Sequence, residues 1–169
     1  MADSPERSYT RVRGRWLGGK RTEVRVRDLP PFSVDEPCPA GGTNTAPRPT
    51  EYLVGGLAGS IAALAPAVAA VQGVRYTGLA VEAEAWLDLR GVRGEAGADP
   101  AFRELALEVR LATDATAESV AALGSEIEQR SPILVMLRRA GVAVRTTWRI
   151  DRGVALPPAG GGGGHPVRR

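Results

Sequence analysis

The sequence predicts an α+β fold, an antiparallel sheet packed on one long buried central helix. Three observations predict it. Apolar and polar residues alternate with period two in several stretches, as in strands with one covered face. One stretch, from Tyr52 to Val71, is apolar for about twenty residues, a helical length. Between alternating stretches near the C-terminal end, Val120, Leu123 and Ile127 fall at helical spacing, and Ser131-Pro132 opens a shorter helix.

Residues 8–17 (SYTRVRGRWL) alternate as a strand, Gly18-Gly19 make a tight turn, and residues 22–28 (TEVRVRD) alternate again, so the chain opens on a hairpin. The run LPPFSVDEPCPAGGTNTAPRPT is rich in Pro and Gly. Prolines fix φ and glycines allow tight bends, so it reads as a structured arm, with a third short strand at Phe32–Val34. Thr50 is the expected N-cap of the apolar helix, with Glu51 near its positive dipole end. The helix runs to Gln72 with Gly73 as its C-cap, and Pro66 should kink or break it around Leu64. A helix apolar nearly all round must be buried on all sides, and a domain of this size can hardly wrap it alone. A second subunit is therefore expected.

Residues 74–90 place Leu79, Val81, Ala83, Ala85, Leu87 and Leu89 on one face and Glu82, Glu84, Asp88 and Arg90 on the other. Residues 91–100 form a turn-rich connection. Residues 101–112 alternate with Leu105, Leu107, Val109 and Leu111 inward. Thr113 or Asp114 caps a helix over 116–129, Ser131-Pro132 opens a shorter helix to about Arg139, and residues 142–150 close the sheet. The domain reading is a loose end over 1–7, one domain over 8–150, and a disordered Gly/Pro-rich tail over 151–169.

The 169 residues suit one domain with a core, and 43% hydrophobic with 24% charged residues is ordinary for a soluble globular chain. The net charge is +3, and Arg7, Arg11, Arg13, Arg15, Lys20, Arg21, Arg25 and Arg27 carry much of the excess. These cations alternate with Val12, Gly14, Trp16, Val24 and Val26, so they read as a solvated strand face before a nucleic-acid footprint. Cys38 is the one cysteine, so no intrachain disulfide is possible. The start MADSPERSYT has no apolar core of a signal peptide. Glycines, alanines, Ser60 and Pro66 weaken a transmembrane reading of the apolar stretch. The expectation is a cytoplasmic protein without a membrane partner. With no Cys/His cluster, and with the GGGGG run (160–164) lacking a preceding strand and a following helix, no metal and no cofactor are expected.

The element order, together with GGKRTEVRVR (18–27), SVDEP (33–37), GGTNTAPRPTEYLVGGLAGS (41–60) and RSPILVML (130–137), resembles the OsmC/Ohr family of hydroperoxide-reducing proteins. The resemblance covers about residues 9–150. The P-x-P-x-E-Y-L string leading into an Ala/Gly-rich helix is its most specific part. It implies an intertwined homodimer with the central helices in the middle and active sites at the subunit interface. It further implies a peroxidatic cysteine in the central helix, a resolving cysteine at the start of a later helix, and an arginine and a glutamate that hold the peroxide. Carried over, the glutamate is Glu51 and the arginine is Arg21, with Arg25 as the weaker choice. Both cysteine positions hold serine: Ser60 in GLAGSIA and Ser131 in RSPIL.

Serine changes the chemistry. A thiolate is oxidised by peroxide to a sulfenic acid and then closes a disulfide; a hydroxyl has no such ladder. A serine nucleophile needs a neighbouring base, and the lone His165 sits beyond the glycine run. Glu51 and Ser60 are nine residues apart, about 13 Å of helical rise and about half a turn out of phase, so within one regular helix they cannot touch. The residues also have plain readings: Glu51 as a first-turn helix acid, Ser60 as a small packing residue, Ser131 as an N-cap before Pro132. Three functions compete. One is an OsmC-like dimer that has lost thiol peroxidase chemistry and binds, or acts by acid/base chemistry on, a small organic or hydroperoxide-like ligand through Glu51, Arg21, Ser60 and Ser131. A second is residual hydroperoxide reduction through Cys38. The third is a non-enzymatic dimer or a nucleic-acid partner using the basic hairpin.

Overall fold

The computed structural model describes residues 6–154. By its contacts the chain divides into two compact units, Met1–Leu53 and Val54–Arg169, within the stretch read from sequence as one domain. The tail from 155 onward, with His165 and the glycine run, lies outside the described residues.

The first unit is a three-stranded antiparallel sheet, β1 (Val12–Gly18), β2 (Arg21–Val26) and β3 (Phe32–Val34), in that order. Gly18 (φ 102°) and Gly19 (φ 54°) take the left-handed backbone of the predicted turn, which glycine adopts without steric cost. Register sets Val12 opposite Val26, Gly14 opposite Val24 and Trp16 opposite Thr22, while Arg13 faces Arg25 and Arg15 faces Glu23. Glu23 accepts from both Arg15 and Arg25. The apolar face is not covered by the described residues: Val12 is 53% and Trp16 72% exposed. After β3 the buried Asp35 accepts bonds from the backbone and hydroxyl of both Thr43 and Thr45, which folds the arm back on itself. Gly42 lies so close to the Glu36 backbone that no Cβ fits there. Tyr52 donates to the Ser33 carbonyl (2.8 Å) and stacks at a tilt on Phe32.

The long helix α1 runs from Pro49 to Gln72 and joins the two units. Its cap is Arg48 and not the expected Thr50. Pro49 takes the first helical position, where its missing N–H costs nothing, and the Glu51 carboxylate reaches back to the Arg48 backbone N–H, one half of a capping box. The helix continues unbroken through the exposed Pro66, contrary to the predicted break. Gly73 ends the helix at φ 68°. The chain buries one stripe of α1, Leu57, Ile61, Ala65, Val68 and Ala69, and leaves Gly55, Gly59, Ala63, Pro66, Ala67, Ala70 and Val71 exposed. Burial on all sides is thus not achieved by the described residues of one chain. α1 is long and apolar enough to cross a membrane by length and composition alone.

The second unit holds β4 (Gly78–Leu87), β5 (Phe102–Ala112) and β6 (Ala143–Ile150), ordered β4-β5-β6. β4 pairs β5 antiparallel, but β6 runs parallel to β5, so this sheet is mixed where the sequence predicted an antiparallel one. The reason is the crossover. The β5–β6 connection carries two helices, and a connection of that length returns the chain to the end where β5 began. A four-residue helix α2 (Leu89–Val92), capped by Asp88, replaces the last residues of the predicted strand, and Leu89 is exposed. α3 (Ala117–Arg130) is capped by Thr116, later than the expected Thr113 or Asp114; the Thr113 hydroxyl donates to the Arg75 carbonyl and accepts from the Ala115 N–H instead. α4 (Pro132–Arg139) is capped by Ser131 as expected. The core joins the buried stripe of α1 to Leu105, Leu107, Val109 and Leu111 of β5 and to Val120, Leu123, Ile127, Leu134 and Leu137 of α3 and α4. Each such fully buried aliphatic side chain contributes about 1.5–3 kcal/mol.

Candidate functional site

Ser60 and Ser131, 71 positions apart, meet in the second unit: their hydroxyl oxygens are 2.9 Å apart. Ser60 sits half-buried on α1, whose buried Leu57 and Ile61 fix the rotation of that turn. Ser131 is fully buried at the junction of α3 and α4. Its backbone N–H closes α3 on the Ile127 carbonyl, and its hydroxyl oxygen accepts from the Leu134 N–H (3.3 Å) at the start of α4. The Ser131 oxygen therefore serves two partners at once, as helix cap and as partner of Ser60. The Ile133 side chain of α4 lies against α1 at Gly56, one turn before Ser60.

The charged candidates lie in the first unit. Glu51 is held by Arg48 through three bonds: the backbone N–H to one carboxylate oxygen, and two guanidinium nitrogens to the other. The Arg48 backbone N–H, and then its guanidinium, hold the Glu51 carboxyl below the usual carboxylate range. Such a carboxylate accepts hydrogen bonds well and is a poor proton acceptor. Arg21 differs. Its Nε is buried and has no hydrogen-bond partner among the described residues. Buried guanidinium N–H groups are rarely left so. Arg25, the weaker choice, is exposed and already bonded to Glu23 (3.0 Å). Arg48 escaped the sequence reading. The only signal was a glutamate three residues after it, and arginine is not a usual capping-box residue.

Cys38 is exposed and free in the short 3-10 helix Cys38–Ala40. Among the described residues no group of three or more His, Cys, Asp or Glu side chains is arranged to hold a metal. The hydroxyl pair can donate and accept hydrogen bonds, and no base stands beside either serine in the bonds they make.

No curated protein sequence matches the chain. Several solved structures share its fold. An OsmC-like protein from Mycoplasma pneumoniae superposes with a TM-score of 0.70 at 15% identity, over 84% of this chain and 98% of that one. An organic hydroperoxide resistance protein OsmC from Legionella pneumophila gives 0.66 at 20% identity, over 86% and 98%. An organic hydroperoxide resistance protein from Elizabethkingia anophelis, with thiocyanate bound, gives 0.70 at 16% identity, over 88% and 100%. The family model described as OsmC-like protein matches residues 42–147, which takes in α1 with Ser60, the Ser131 cap and nearly all of β6, and the chain belongs to that family.

Proposed function

We propose that this chain is an OsmC-like protein without thiol peroxidase chemistry, which binds a small organic ligand at the Ser60–Ser131 hydroxyl pair. The observation that carries the reading is the pair itself. At 2.9 Å the two oxygens already share a hydrogen bond, as two redox partners would need to share a bond, yet neither can enter the sulfenic acid and disulfide sequence. Binding is favoured over acid/base catalysis because Glu51 is held as a stable carboxylate by Arg48. Arg21, with its unpartnered Nε, is the cation best suited to an oxygen-rich or anionic ligand.

The reading includes a cytoplasmic homodimer. The exposed Gly55, Gly59, Ala63 and Ala67 form a stripe along α1 where a second copy of the helix can approach closely, and the bare Val12 and Trp16 of the hairpin offer further apolar surface. Light scattering in dilute solution is expected to give twice the 17.8 kDa chain mass; a monomer overturns this part.

Cumene hydroperoxide and a dithiol, mixed with the purified native chain, test the loss of chemistry. The expected result is no consumption above the protein-free rate. Turnover that persists in Cys38→Ala would overturn the reading of both serines, while turnover abolished by Cys38→Ala would move the activity to that thiol. Ligand binding is tested by soaking a panel of small organic acids, alcohols and hydroperoxides. Thermal upshifts lost in both Ser60→Ala and Ser131→Ala support it, and upshifts indifferent to both reject it.

A further inference from the structure

A cavity lies in the second unit, lined by neither Ser60 nor Ser131. It has a volume of about 510 Å³ and is lined by the loop after α1 (Gly73, Arg75, Tyr76), the end of β5 (Ala112, Thr113) and Arg152 beyond β6. That volume is within the range of small-molecule sites. Because β5 and β6 run parallel, their carboxyl ends open on the same side, which brings Arg152 beside the β5–α3 turn.

The charges are unbalanced. Arg75 has no acidic partner among the described residues. Arg152 faces only Asp114, at 3.6 Å, and that aspartate is 99% exposed at its side chain. Two guanidinium groups against one solvated carboxylate leave one net positive charge in the groove. Tyr76 is half-buried; burial raises its phenol, which stays protonated at neutral pH and can donate. Its hydroxyl makes no hydrogen bond with the described residues. Ala112, Ala115 and the Tyr76 ring supply an apolar wall.

We propose that this groove binds a small organic monocarboxylate, its carboxylate on Arg75 and Arg152 and its apolar part on Tyr76, Ala112 and Ala115. Guanidinium matches carboxylate geometry with paired N–H donors, and one net charge selects a monoanion. The site is independent of the serine pair, so its failure leaves the proposed function untouched.

Benzoate is the probe, and benzamide its neutral counterpart, titrated into the full-length chain with amide chemical shifts as the readout. Benzoate is expected to shift the amides of residues 73–77 and 112–115, and benzamide to bind at least tenfold more weakly. The double variant Arg75→Gln, Arg152→Gln should weaken benzoate at least tenfold and leave the shifts of Ser60 and Ser131 in place. Three results each overturn the proposal: benzamide binding as tightly as benzoate, an unchanged affinity in the double variant, or shifts centred on Ser60 and Ser131.

Discussion

Replacing both serines by cysteine turns the geometry of the pair into a measurement. The two oxygens stand 2.9 Å apart, and a disulfide needs about 2.0 Å between sulfurs. A C–S bond is longer than a C–O bond, so the sulfurs of Ser60→Cys, Ser131→Cys start closer than the oxygens do. The bridge would close a loop of about 70 residues. In the chain-entropy account this removes about 4 kcal/mol of denatured-state entropy. For a chain of this size that corresponds to a rise in Tm of about 10 °C, lowered by whatever strain the bridge stores. Thiol counting under denaturing conditions should find Cys38 alone after mild oxidation, and a melting curve with and without reductant should show the shift. The same variant should consume cumene hydroperoxide in the presence of a dithiol, where the native chain does not. Two cysteines that stay reduced under oxidant would refute the geometric equivalence of this pair to a redox pair. A disulfide that forms without peroxide turnover would refute the idea that two hydroxyls are all that separates this chain from thiol chemistry.

Other perturbations probe single links. Ser131→Ala should cost about 2 kcal/mol in chemical denaturation, about 1 for the lost α4 cap and about 1 for the bond to Ser60; Ser60→Ala, which leaves the cap intact, should cost less than half of that. Gly124→Ala would place a Cβ 2.6 Å from the Trp148 ring, whose indole N–H donates to Glu128. The helical preference for alanine returns about 1 kcal/mol, but the overpacking and the disturbed bond outweigh it, so a net loss of about 1–3 kcal/mol is expected, and a gain would refute the packing account. The Thr43 hydroxyl, then Thr45, hold Asp35 well below the usual carboxylate range. A group depressed in the folded state stabilises above its unfolded pKa, and that contribution fades as pH falls below about 4. Asp35→Asn should therefore be less stable at pH 7 and show a shallower loss between about pH 5 and pH 2; parallel stability curves for both chains would contradict this.

How much of this was legible depends on how local each signal is. The alternation in 101–112 and the Ser131-Pro132 signature give β5 and the α4 cap directly, because period two and an N-cap before Pro at N1 are properties of neighbouring residues. The direction of β6 is not local: alternation is the same in parallel and antiparallel strands, so only the length of the crossover could have shown it. Thr113, Asp114 and Thr116 are all cap-type residues, and nothing local tells that the Thr113 hydroxyl is spent on Ala115 and on the distant Arg75 carbonyl while Thr116 takes the cap. The difference between Arg21 and Arg25 is likewise not local: both stand on one face of β2, yet Glu23 bonds Arg25 and the buried Nε of Arg21 has no partner among the described residues. The meeting of Ser60 with Ser131 spans 71 positions and came within reach only through the family resemblance. That meeting divides the two serines. Ser131 is accounted for by its cap alone, as a serine at that junction would be in any helix pair. Ser60 has no such duty. A hydroxyl on a half-buried helical turn otherwise made of Gly, Ala and Ile gains only its bond to Ser131, and alanine would suit the helix better. Ser60 is therefore the residue whose chemistry, and not its packing, calls for an explanation, and variants there separate a ligand site from an interhelical tie.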